Sequence, residues 1–170
     1  MNVAVIGATG KTGQRVTAEL LERGHHVTAV VRNPSKVQSH KNVSVVTSDL
    51  SDTKQIAGAL KGADAVVSAY GAPADDAPQV ISVTRRITEA VKQNKQRLLV
   101  VGGAARLFIK PDVTVLEAGY VPEWGIPIAT AHNQVLQDLR YSDADWTYFS
   151  PAAFFEPGQR TGKFVSGTTT

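Results

Sequence analysis

The stretch GATGKTGQ at residues 7–14 sets three glycines, Gly7, Gly10 and Gly13, at intervals of three around Thr9, Lys11 and Thr12. These residue types suit phosphate chemistry. Glycine lets backbone N–H groups approach an anion closely, and lysine and threonine add a charge and a hydroxyl. Two motifs compete for the same letters. Gly10-Lys11-Thr12 is the tail of the triphosphate loop G-x-x-x-x-G-K-[ST], whose first glycine would fall five residues before Gly10. That position is Val5, inside the apolar run VAVI. A strand cannot wrap a phosphate, so this parse fails. A dinucleotide-binding turn instead needs a strand leading in and a helix leading out. NVAVIG supplies the strand. QRVTAELLERG supplies the helix, with Val16, Leu20 and Leu21 at helical spacing and Gly24 as a left-handed stop. Thr9, Lys11 and Thr12 then lie where a pyrophosphate arrives.

The residue nineteen positions past Gly13 is Arg32, in VVRNPSK, with Lys36 nearby. An NAD-specific site places Asp or Glu there to accept from the ribose 2′-OH. A guanidinium cannot accept that bond but clamps a 2′-phosphate well, so NADP(H) is favoured over NAD(H). Three further junctions are candidate cofactor contacts. In SDLSD, Asp49 and Leu50 could flank an adenine, although Asp before Ser is equally an ordinary turn. In AYGAP, Ala69, Tyr70 and Gly71 permit a ribose to approach, and Tyr70 could also be packing. In VVGGAA, Gly102 leaves the backbone open to a ligand.

The elements that must position these residues follow from periodicity. Short apolar runs occur at 3–6, 27–31, 43–46, 65–69, 98–101 and 146–149. Helical patterns lie between them: one after Gly13, one near 53–61 ending at Gly62, one from Pro78 to about Asn94, and one from about Ala131 to Tyr141. Pro78 suits a first helical position with Asp75 or Asp76 capping, and Thr130 suits an N-cap. Continuous Val-rich runs predict strands buried on both faces, hence a parallel sheet. The expected fold is α/β: a doubly wound Rossmann-type sheet with helices on both faces, a single domain over residues 1–170. Residues 102–129 form a long Gly/Pro-punctuated connection, and such loops are uncommon unless functional.

Composition narrows the classes. The chain of 170 residues has no cysteine, which excludes disulfides and thiol–metal sites, and its histidines have no metal-ligand spacing. Met1 is followed almost at once by a strand, leaving no room for a signal peptide, and no apolar run approaches the ~20 residues of a membrane span. A cytoplasmic protein with no membrane partner is expected. The net charge of +3 includes Arg85, Arg86, Lys92, Lys95 and Arg97 on or after one helix. These read as a solvated face rather than a nucleic-acid stripe.

With these motifs in hand, the chain resembles the atypical branch of the short-chain dehydrogenase/reductase superfamily. GATGKTGQ with VVRNP is similar to the NmrA-like and biliverdin-reductase-B-like members. DWTYFSPAAFFEPGQRTGKF is similar to the closing motif of bacterial proteins known provisionally as NADH-flavin reductases. Members of that group continue for several tens of residues past this motif, so the resemblance implies that the carboxyl end is incomplete. Conventional members reduce carbonyls with a serine after strand five and a Tyr-x-x-x-Lys on the next helix. Here those places read Gly102-Gly103-Ala104 and AHNQVLQDL. A carbonyl receiving hydride needs a positioned proton donor, and none is present in the motif, so no catalytic residue is assigned. A flavin or quinone-like acceptor removes that need, because its charge is delocalised and water can protonate it. The resemblance therefore implies a reductase with flavin as substrate rather than prosthetic group. The alternative is an NmrA-like redox sensor that binds cofactor without turnover. It also implies an acceptor pocket from the loop around 104–125 and Pro151–Phe155. Phe108, Trp124, Phe154 and Phe155 would be stacking surfaces there, and Pro151 would border the cofactor. His132, near the start of the helix that lacks the tyrosine, could bond the nicotinamide ribose or the acceptor, or be a helix histidine without chemistry.

Overall fold

The computed structural model describes residues 1–73, 75–153, 155–156 and 158–167. Among the described residues there are eight strands: β1 (Asn2–Ile6), β2 (His26–Val31), β3 (Val43–Thr47), β4 (Ala65–Ser68), β5 (Arg97–Val101), β6 (Phe108–Lys110), β7 (Val113–Thr114) and β8 (Trp146–Phe149). Six of them, the six apolar runs, make one sheet in the order β3-β2-β1-β4-β5-β8. Every pairing in it is parallel. The chain winds outward from β1 to β3, then returns to β4 on the other side of β1. This leaves a topological switch point at the carboxyl end of β1, where such folds bind ligands.

The helices are α1 (Lys11–Glu22), α2 (Thr53–Ala59), α3 (Gln79–Asn94) and α4 (Ile126–Arg140). Alternation along the strands divides the core in two. Val3, Val5, Val27 and Ala29 pack toward Val16, Leu20 and Leu21 of α1. Ala4, Ile6, Val66, Leu98 and Val100 pack toward α2, α3 and α4 through Ile56, Ile87 and Val135. The expectation of strands buried on both faces holds for β1 and β2, but β3 is a half-exposed edge with Val45 43% exposed. An edge strand has a neighbour on one side only, so its run of valines does not guarantee burial.

Helix starts differ from the expected ones. α1 begins at Lys11, so Gly13 lies in its first turn. Pro78 occupies the cap position of α3 rather than the first helical one, and no side chain caps that end. Asp76 instead accepts from the Gln79 amide Nε2 at 3.1 Å. α4 starts at Ile126, which puts Thr130 inside the helix. The reason is Pro127, whose fixed φ is suited to a first helical turn. The long connection is structured, with 3₁₀ turns at Ala104–Arg106 and Glu123–Gly125 and the β6–β7 hairpin between them.

Candidate functional site

Gly7 ends β1 with φ at +78°, and a β carbon there would come within 2.6 Å of the Ala69 carbonyl oxygen. Gly13 is packed on Gly7, where a β carbon would lie 2.1 Å from the Gly7 carbonyl oxygen. These two glycines are required by backbone packing. Gly10 is different. Its φ is −76°, and a β carbon would meet only the Gly7 carbonyl, at 3.3 Å. That one contact is all that opposes a side chain at position 10 from inside the fold. No side chain caps α1 and no acid lies in its first turn. Its free N–H groups and positive dipole end are left for an anion.

The space above the turn is an open cleft of about 410 Å³ across the carboxyl ends of β1, β2, β3 and β4. Gly7, Thr9, Gly10, Lys11 and Thr12 form its floor, Arg32 one wall, and Leu50, Ala69, Tyr70 and Gly71 the other. Lys36, Asn33 and Ser48 also line it. Asn33 and Ser48 escaped the motif reading because single polar residues in turns carry no local signal. The lining holds three cations, Lys11, Arg32 and Lys36, and no carboxylate. Among the described residues, none of the three cations is in an ion pair. Leu50 holds a left-handed φ of +62° while buried at 5% exposure. Such a backbone costs about 1–3 kcal/mol and marks ligand clamps when its surroundings enforce it. Here Ser48 Oγ accepts from the Leu50 N–H at 3.2 Å, and Arg86 donates to its carbonyl at 3.4 Å. Tyr70 donates to the Gln79 amide oxygen, which ties this wall to α3. Burial pushes the Tyr70 phenol above its ordinary pKa, with the Arg32 charge opposing.

Asp49, Gly102, His132 and Pro151 stand outside the lining of this cleft. Asp49 is exposed and its Oδ1 accepts from the Ser51 N–H at 2.9 Å, closing a turn. Bonds from Ser51 hold its carboxyl below the usual value. Gly102 makes room for a side chain: a β carbon would fall 1.9 Å from Cζ of Tyr148. The Tyr148 hydroxyl accepts from the Gly103 N–H at 3.3 Å and lies 3.3 Å from His132 Nδ1. Burial pushes the His132 imidazole below its ordinary pKa and the Tyr148 phenol above its own. Both are therefore neutral near pH 7, within hydrogen-bond reach of each other. Tyr148 was missed by sequence reasoning. Only the alternation of β8 hinted at it, since Trp146 and Tyr148 share the face that packs toward the core beneath α4.

Tyr148 also lines a second cavity, of about 570 Å³, between α4, β8 and the start of the β6–β7 hairpin. Of the proposed stacking residues, Phe108 lines this cavity. Trp124 is 83% exposed and takes no part, and Phe155 packs edge-on against Phe149 at 6.4 Å between ring centres. Phe154 lies outside the described residues. Pro151 is buried. The cations read as a solvated face are largely paired: Arg85 with Asp138 at 2.7 Å, Lys92 with Asp143 at 2.6 Å, and Arg97 with Asp145. Among the described residues there is no cluster of three metal-ligating side chains, and no helix is long and apolar enough to cross a membrane.

Residues 7–170 match the family described as NAD(P)H-binding. The YwnB protein of Bacillus subtilis is 39% identical over 172 residues, spanning 98% of this chain and 79% of its own. A Streptococcus pneumoniae structure provisionally named an NADH-flavin reductase superposes with a TM-score of 0.86 at 35% identity, covering 97% of this chain and 79% of that one. A Bacteroides thetaiotaomicron structure provisionally named an epimerase gives 0.88 at 38% identity, covering 96% and 76%. Those two names point to different reactions on one fold.

Proposed function

The chain belongs to the NAD(P)H-binding family, in the atypical branch of the short-chain reductases, and from that premise we propose that it is a reductase using NADPH and a flavin or quinone-like acceptor. The observation that carries the reading is the cleft lined by Lys11, Arg32 and Lys36 without a carboxylate. Gly7, Gly10 and the uncapped start of α1 would hold the pyrophosphate, and Arg32 with Lys36 would clamp a 2′-phosphate. An NADH-selective cleft would need an acceptor for the 2′-OH at the end of β2. A nicotinamide cofactor supplies, when bound, the hydride. The protein's part is to orient it and to hold the acceptor.

The choice between reduction of a ring acceptor and carbonyl or sugar chemistry rests on α4. Its sequence IPIATAHNQVLQDLR carries neither Tyr nor Lys, and the serine position after β5 is Gly102-Gly103-Ala104. A conjugated ring acceptor disperses the charge it receives and draws its proton from water, so the absence of that dyad is no handicap. The test is oxidation of NADPH and NADH followed with FMN, FAD and quinones, beside a cofactor-binding titration. NADPH should bind more tightly and turn over with at least one ring acceptor. Cofactor binding without turnover on any of them would replace the reductase reading with that of a cofactor-binding sensor.

A further inference from the structure

We propose that the cavity between α4, β8 and the hairpin is a site for a planar aromatic acceptor carrying an anionic group, and that Arg106 and Arg140 select it. The inference rests on the reductase reading for its chemistry, but its evidence is a separate cavity.

The cavity lies on the same sheet as the cofactor cleft. Its Tyr148 hydroxyl accepts from the Gly103 N–H, just past the end of β5. The cofactor cleft ends at Tyr70 and Gly71, just past β4. β4 and β5 are directly paired, and paired strands lie roughly 4.8 Å apart. β8, whose Trp146 and Tyr148 line the cavity, pairs in turn with β5, so the two spaces lie two strands apart in one sheet. At about 570 Å³ the cavity is within the size range of small-molecule sites.

Its walls are of two kinds. Leu107, Phe108, Leu136 and Trp146 offer apolar and aromatic surface for a flat ring. Arg106 and Arg140 bring two positive charges, with no carboxylate in the lining. Among the described residues, neither arginine is in an ion pair, whereas Arg23, Arg85, Arg97 and Arg160 all are. Arg106 sits beside the Gly102–Gly103 turn. Arg140 ends α4, on the stripe His132, Leu136, Arg140 made by spacing of four, and so stands at the end of the cavity away from Tyr148. A ring near Tyr148 with a phosphate or carboxylate reaching Arg140 matches both ends. Unphosphorylated flavin would satisfy only one.

FMN and riboflavin share the ring and differ by the phosphate, so they are the probes. Binding is read by flavin fluorescence quenching, with NADP⁺ saturating so that the cofactor cleft is filled, in the native protein, Arg140→Gln and Arg106→Gln. The native protein should bind FMN at least about tenfold more tightly than riboflavin. Arg140→Gln should weaken FMN by about tenfold, the effect of one charge-assisted hydrogen bond, and leave riboflavin unchanged, whereas Arg106→Gln, at the ring end, should weaken both flavins alike. Equal affinities in the native protein, or an FMN advantage that survives Arg140→Gln, overturns the proposal. FMN held through the arginines yet never reduced would uphold the pocket and remove the reductase reading. Both flavins bound and reduced alike would do the reverse.

Discussion

At the scale of single residues, the glycine turn divides into two roles that substitution can separate. Gly13→Ala drives a β carbon to 2.1 Å from a backbone oxygen, and should cost about 3 kcal/mol or more because neither partner can move aside. Gly10→Ala meets the same oxygen only at 3.3 Å. It should fold with nearly native stability while losing cofactor affinity by at least about tenfold, because its methyl group stands where the pyrophosphate must approach. Melting curves with and without NADPH distinguish them: Gly10→Ala should melt near the native temperature alone and show a smaller shift with NADPH, whereas Gly13→Ala melts early on its own. Arg32 carries the second residue-scale prediction. Arg32→Asp removes a phosphate clamp and supplies a 2′-OH acceptor, so the preference for NADPH should invert, with NADPH weakened roughly ten- to a hundredfold. Equal dissociation constants for the two cofactors in the native protein would refute it.

Among the elements, α2 shows how a short helix is held where it can support the cleft. It has seven residues, too few to be stable by itself. Its start is capped by Asp52, which accepts from the Gln55 N–H at 2.8 Å. Its far end is fastened from below by Gln96, 7% exposed, whose Nε2 donates to the Leu60 and Ala63 carbonyls at 2.7 and 2.6 Å. Asn94 adds a bond to the Ala57 carbonyl at 2.9 Å. Gln96→Leu keeps the volume but takes this donor from the Ala63 carbonyl, while the Leu60 carbonyl keeps the Ala63 N–H at 3.1 Å; an unsatisfied buried group costs about 1–3 kcal/mol. Denaturant unfolding should show a loss of at least about 1 kcal/mol, with NADPH affinity unchanged because Gln96 does not line the cleft. A loss under about 0.5 kcal/mol, the range of ordinary surface substitutions, would mean that the Ala63 carbonyl finds another partner.

Over the whole molecule, the partly buried His132 links stability to pH. Desolvation lowers its pKa in the folded protein, so the unfolded chain binds the proton more readily. The native state loses stability as pH falls through about 6.5, the unfolded value, toward the lower folded one. The melting temperature should therefore decline between about pH 7 and 5, and His132→Gln should flatten part of that decline, since glutamine takes no proton. An unchanged slope in the variant would show that other groups control it. Because the imidazole is neutral at working pH and a ring acceptor needs no positioned acid, the same variant should lower flavin reduction by no more than about tenfold, against the 10²–10⁴ of a true general acid.

The parts of this protein legible in one dimension are those governed by chain neighbours. The glycine turn follows from intervals of three residues, the six strands from apolar runs, and Arg32 from its place after the second run. Each depends on stereochemistry local to its segment. The apolar stripes of α1 and α4 begin several residues after the helices do, because the first turn is defined by backbone bonds and by Pro127. What only the tertiary structure decided are contacts between distant segments. Gly102 reads as an open backbone, yet parallel pairing sets Tyr148 beside Val100 and swings its ring into the space a β carbon would take. Arg106 and Arg140 are separated by a hairpin and a helix, and nothing in their neighbourhoods marks them as partners. Strand register and helix docking bring them to one cavity, and both are settled by packing over the whole sheet.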